Sequence, residues 1–120
     1  AVEEVVAVDR EIRADAINAL ASCGNVRLIE GDAVETINGL DGEFDFVYVD
    51  AGHRYEDVKT QTEAVWLLVR KGGVVAFHDV LAEDDDGVRR YLGERFPGAL
   101  ILQTKPFPWA VTGLALVVKG

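Results

Sequence analysis

Short apolar runs alternate with amphipathic stretches along this chain, and that alternation restricts its fold more than any other feature. Residues 5–8 form a β-branched run, VVAV, that ends at Asp9. Residues 26–29 form a second run. Phe44–Val49 is a third, apolar at every position but Asp45, as in a strand covered on both faces. Residues 74–77 form a fourth. Between them, residues 10–22 place Ile12, Ala16, Ile17 and Leu20 on one helical face, with Gly24 as the C-terminal cap. Residues 32–38 read as a short helix. Residues 54–69 give the clearest helix. Tyr55, Val58, Thr62, Val65, Trp66 and Val69 recur at three- and four-residue spacing there, and Lys71-Gly72-Gly73 is expected to end it. Residues 86–96 read as another helix, stopping before Pro97. Residues 99–103 and 113–118 read as closing strands. The connection through residues 105–109 is too rich in proline to be helical. The pattern predicts an α/β fold with helices covering a mostly parallel sheet.

The chain has 120 residues, enough for a single domain over residues 1–120 with one core. The formal net charge of −9 excludes a phosphate-neutralising nucleic-acid surface and favours cations at any edge where acids gather. No apolar run approaches the roughly 20 residues that span a membrane. A single cysteine, Cys23, rules out an internal disulfide and fits a reducing, cytoplasmic setting. The chain has no methionine and begins at Ala1, so an upstream portion is expected.

In an open parallel sheet, ligands gather beyond the carboxyl ends of the strands. The predicted strand ends carry Asp9, Asp32, Asp50 with His53, and His78-Asp79. One helix joins the strands ending at Asp50 and Asp79, which makes those strands expected neighbours. Two carboxylates roughly 5 Å apart would repel by about 3 kcal/mol at an effective dielectric of 20. A divalent cation with oxygen ligands relieves that repulsion, as does protonation of one acid. Alternatively, both aspartates cap the segments that follow. His53 is placed to take a proton from a hydroxyl, or to bond to loop backbone. His78 either ligates a metal or orients Asp79, although neighbouring strand residues point to opposite faces. Asp9 suits ribose hydroxyls or an N-cap for residues 10–22. Asp32-Ala33-Val34-Glu35 reads as a capping box. Glu83-Asp84-Asp85-Asp86 reads as a solvated helix start, and Tyr48, Tyr55 and Trp66 as packing residues. No GxGxxG, GxxxxGK[ST], serine elbow or CxxC is present.

The stretch FDFVYVDAGHRYEDVKTQTEAVWLLVRKGGVVAFHDV, with VVAVDR and LIEGDAVETI, resembles the class I S-adenosylmethionine-dependent methyltransferases. The likeness is greatest to their metal-dependent O-methyltransferase branch. It covers nearly the whole chain, and the closing strand pair is similar to that family's reversed last strand. The resemblance implies a Rossmann-like sheet whose first strand, glycine-rich turn and helix would precede Val5 and are missing here. The isolated chain is then an incomplete enzyme with an exposed strand edge, a template for a homo-oligomer. It also implies residue roles. Asp9 would hold the ribose of S-adenosylmethionine, with Arg10 beside it. Asp32 and Ala33 would lie near the adenine. Asp50, His78 and Asp79 would hold a Mg²⁺-type ion, with Asp50 also bordering the cofactor. His53 would be the general base toward a small-molecule hydroxyl.

Two other readings compete. A phosphoacceptor receiver domain would use Asp50 as the phosphorylated acid, Asp9 as its partner and Lys105 as its lysine. It requires a helix where residues 114–118 read as a strand. A non-catalytic remnant or interaction module is the third reading.

Overall fold

The computed structural model describes residues 2–103 and 112–120, so the expectation for residues 105–109, Lys105 included, lies outside the described residues. The element order is β1 (Val5–Asp9), α1 (Ala14–Leu20), β2 (Val26–Glu30), α2 (Ala33–Asn38), β3 (Phe44–Val49), α3 (Tyr55–Trp66), β4 (Val69–His78), α4 (Gly87–Arg95), β5 (Leu100–Leu102) and β6 (Leu114–Val118). The chain divides into two compact units, Ala1–Leu40 and Asp41–Gly120.

In the first unit β1 and β2 pair in parallel, from Val5 opposite Val26 to Asp9 opposite Glu30. The helix expected over residues 10–22 is shorter, starting at Ala14. The cause is competition for backbone amides. Asp9 Oδ1 accepts the Glu11 N–H at 3.2 Å, and Glu30 Oε2 accepts the Ile12 N–H at 2.9 Å. Asp9 therefore makes a local turn and does not cap α1, whose N-cap is Arg13 with no side-chain bond. The expected cap at Asp32 does form: its Oδ1 accepts the Glu35 N–H at 3.0 Å. No described residue of this unit is fully buried, and Ile17 on α1 is 49% exposed.

The second unit carries the core. Its sheet runs β3-β4-β6-β5. β3 and β4 are parallel; β6 is antiparallel to both β4 and β5, which is the reversed last strand. α3 buries Val58, Gln61, Thr62 and Val65, the stripe of a helix lying on a sheet. Val69, Val75 and Phe77 of β4, and Val88, Tyr91 and Leu92 of α4, are likewise nearly inaccessible to solvent, and α3 packs against α4. The strand at Leu114–Val118 stands where the receiver reading needs a helix, so that reading fails.

The residues around Lys71-Gly72-Gly73 correct the sequence reading. α3 ends at Trp66, and this tripeptide lies inside β4. The register passes from Phe44 opposite Val69 to Phe46 opposite Val74, which bulges β4 between them. Gly72 supplies the required positive φ of 81°. β4 is held there by the C-terminal segment: the Gly72 N–H donates to Lys119 O at 2.7 Å, and the Lys119 N–H donates to Gly73 O at 2.9 Å.

Lys119 also closes α3. Its Nζ donates to Trp66 O at 2.7 Å and to Val69 O at 2.8 Å, and lies 5.4 Å from the centre of the Trp66 ring. A cation at a helix C-terminus satisfies carbonyls that have no intrahelical donor. Lys119→Ala is expected to lower stability by about 1–2 kcal/mol, measured by urea denaturation. Lys71→Ala, on an exposed residue of β4, should stay within about 0.5 kcal/mol of the parent. Equal effects would remove the capping role.

Candidate functional site

Parallel pairing of β3 with β4 builds the candidate site of the second unit. Val49 lies opposite Phe77, so Asp50, just past β3, comes level with His78 at the end of β4. His78 Nδ1 lies 3.2 Å from Asp50 Oδ1 and 3.1 Å from Asp79 Oδ1. One ligand atom from each of these residues falls within 4.8 Å of the others.

Strand alternation predicts that His78 and Asp79 point apart, and they do not. Asp79 has already left the strand, with a φ of 58°, and is the only non-glycine residue with positive φ among those described. This left-handed turn, which aspartate tolerates better than most residues, lets its carboxylate fold back toward His78. A non-glycine residue held there by its surroundings is a common device of ligand sites.

His78 Nδ1 is buried and makes no hydrogen bond despite its two oxygen neighbours. Their distances suit a bond, but their directions do not. A nitrogen and two carboxylate oxygens thus converge on one another without satisfying each other. That donor set matches a divalent cation of the Mg²⁺, Mn²⁺ or Zn²⁺ type.

His53 stands apart from this triad in its contacts. Its Nε2 lies 3.6 Å from Asp84 Oδ2, and both side chains are substantially exposed. The acidic run is therefore more than a solvated helix start. Asp84 faces His53, and Asp85 Oδ1 accepts the Gly87 N–H at 2.7 Å, the amide of the first residue of α4. The loop bearing His53 also meets α4 directly, since a Cβ on Gly87 would lie 2.7 Å from His53 O.

The sequence reading treats Tyr48 as packing, yet it is 50% exposed. Its ring centre lies 6.3 Å from that of His78. Burial, then the charges of Asp50 and Asp79, push its phenol above the ordinary tyrosine range, so it stays a neutral hydrogen-bond donor at neutral pH. Period-two spacing from Asp50 back to Tyr48 was the available signal, because both then share one face of β3.

The candidates of the first unit are placed separately. Asp9 lines an open concavity of about 710 Å³ with Glu11, Arg13, Ala14 and Asp15. Arg10 Nη2 and Asp32 Oδ2 form an exposed ion pair at 3.8 Å. Ala33 opens α2 directly after the Asp32 cap. No helix among the described residues is long and apolar enough to cross a membrane.

Comparison with known proteins gives a consistent picture. Residues 2–80 match a family model for a methyltransferase domain. No curated protein sequence matches the chain. Among solved structures, it is similar to the O-methyltransferase TomG from Streptomyces achromogenes, involved in tomaymycin synthesis and solved in complex with SAM. There the identity is 27% and the TM-score 0.77, over 98% of this chain and 62% of that one. A cofactor-bound protein from MTB gives 25% identity and a TM-score of 0.73, again over 98% and 62%. Spermidine synthase from Thermotoga maritima, at 12% identity and a TM-score of 0.70 over 98% and 46%, shares the fold alone. The fold is thus Rossmann-like, and the chain spans about three fifths of the length of the first two structures, 62% of each.

Proposed function

The chain belongs to the methyltransferase domain family whose model its residues 2–80 match, and from this we propose that it serves S-adenosylmethionine-dependent methyl transfer to a small-molecule hydroxyl. The similarity to an O-methyltransferase solved with SAM supports the cofactor and the type of acceptor. The observation that carries the metal-dependent form is the orphaned His78 Nδ1 between the Asp50 and Asp79 carboxylates. A buried ring nitrogen with no hydrogen-bond partner fits a cation ligand. Asp50, His78 and Asp79 would hold the ion, which when bound supplies Lewis-acid polarisation of the acceptor hydroxyl.

The remaining roles fall to the protein's own groups. Asp84 beside Nε2 of His53 favours the tautomer with its proton on that nitrogen. Nδ1 is then the atom that accepts a proton from the acceptor hydroxyl. Tyr48, neutral and beside the triad, can donate a hydrogen bond to a bound oxygen. In the first unit, one oxygen of Asp9 is engaged by the Glu11 N–H. Its other oxygen remains to accept from ribose hydroxyls. Arg10, Asp32 and Ala33 border the same cofactor in this reading.

The test is cofactor binding and turnover together. Calorimetry should detect S-adenosylmethionine binding that Asp9→Ala weakens. In a form of the protein that turns over, His53→Ala should lower kcat by about 100-fold or more and leave cofactor affinity within about threefold. Equal losses in both would remove the base role. No binding of S-adenosylmethionine to a folded protein would overturn the methyl-transfer reading.

A further inference from the structure

The asparagines of the chain are Asn18, Asn25 and Asn38, and their settings differ. Asn18 lies inside α1 and is followed by alanine. Asn25 precedes Val26, the β-branched first residue of β2. Its backbone and side chain are both tied down: Asn25 O accepts the Val5 N–H at 2.8 Å, and Nδ2 donates to Val2 O at 3.1 Å. Asn38 has neither protection. It is the exposed last residue of α2, and an exposed glycine follows it.

α2 holds Asn38 weakly. The helix has six residues, none of them buried, and so short a helix has little stability of its own. Its closing bond runs from the Gly39 N–H to Thr36 O at 3.1 Å. Bonds of this tight kind end helices, and helix ends open first. A Cβ on Gly39 would meet, among the described residues, nothing within 4 Å except the carbonyl oxygens of Thr36 and Glu35.

We propose that Asn38 is a site of spontaneous covalent modification. When the end of α2 opens, the Gly39 backbone nitrogen attacks Cγ of Asn38. The amide proton passes to solvent, an N–Cγ bond forms, the Cγ–Nδ2 bond breaks, and Nδ2 takes up a proton and leaves as ammonia. Water then adds to either carbonyl of the resulting succinimide and breaks its bond to nitrogen, giving aspartate or isoaspartate. Nothing is oxidised or reduced. Glycine permits the step because it has no Cβ to block the approach. The ring nitrogen bears no hydrogen, so Thr36 O loses its donor. The new carboxylate lies at the negative end of the α2 dipole. Isoaspartate also routes the main chain through Cβ, close to the boundary between the two units at Leu40.

The same ring closure is less accessible to the aspartates that precede glycine. At Asp86-Gly87 the glycine is buried and its N–H is held by Asp85 Oδ1 at 2.7 Å. Asp41-Gly42 is exposed, but an ionised carboxylate resists attack and offers no ready leaving group. Asn38 therefore reacts first.

The test is peptide mapping by mass spectrometry on the folded chain aged in mildly alkaline buffer, with released ammonia measured in parallel. Asn38 should convert at least about tenfold faster than Asn18 or Asn25, to a mixture of aspartate and isoaspartate. Gly39→Ala should slow the conversion by about tenfold or more. That variant should fold, because Gly39 has φ −92° and ψ −3° and the nearest oxygen to an added Cβ is 3.5 Å away; circular dichroism checks this. An Asn38 that survives in the folded chain but converts in urea would overturn the proposal, since native α2 would then protect it. Conversion no faster than at Asn18 or Asn25 would overturn it too, as would a rate unchanged by Gly39→Ala.

Discussion

Asp50→Asn and Asp79→Asn should each weaken Mg²⁺ or Mn²⁺ binding by at least about 100-fold, measured by calorimetry on the folded chain. The expectation follows from the donor set. Each substitution removes a formal charge and an acceptor oxygen 3.1–3.2 Å from His78 Nδ1. The amide that replaces it keeps one weaker oxygen. Asparagine is the informative choice at position 79 because it tolerates the φ of 58° nearly as well as aspartate. Alanine does not, and its left-handed backbone should cost roughly 1–2 kcal/mol of stability. Asp79→Asn and Asp79→Ala should thus both weaken metal binding, alanine at least as much as asparagine, and differ in urea midpoint. His78→Ala should also lose the ion. If all four variants bind metal as the parent does, the triad is not its site, and the methyl-transfer reading continues without a metal.

The parts of the fold visible in the sequence are those set by local period and length. Phe44–Val49 and the α3 stripe stand out because burial on a sheet dictates apolar spacing. The parts that were hidden depend on distant partners. Lys71-Gly72-Gly73 has the composition of a helix end, but Lys119, far along the chain, supplies the bonds that draw it into β4. Residues 10–13 have helical periodicity, but a carboxylate from β2 takes an amide there. The site shows the same division. Asp50 and His78-Asp79 are legible as acids and imidazoles at strand ends. Their convergence depends on the left-handed turn at Asp79, which no spacing rule announces. The partner of His53 was equally hidden, since a run of four acids offers no local sign that Asp84 would be the one to face it.

Gly87→Ala should destabilise the protein by about 3 kcal/mol or more, at the upper end of the cost of overpacking. Gly87 opens α4 and is buried against the backbone of residues 53–55. A methyl group at this position would overlap Tyr55 N and lie 2.7 Å from both Arg54 C and His53 O. Main-chain atoms at the start of α3 cannot rotate away as a flexible side chain would. The strain must instead lift α4 from α3. That movement opposes Tyr91 against the Tyr55 ring, the Arg90 guanidinium over that ring, and the hydrogen bond from Tyr55 to Glu94. It also carries the Asp84–Gly87 segment away from His53, so any function of that imidazole should fall with stability. Gly93 lies in the interior of the same helix, and a Cβ there would meet nothing within 4 Å. Gly93→Ala should therefore act in the opposite direction, raising stability by up to about 1 kcal/mol through lower chain entropy in the unfolded state. Urea midpoints of the two variants decide the matter. Changes of the same sign and size would mean that α4 does not rest on the His53 loop through Gly87.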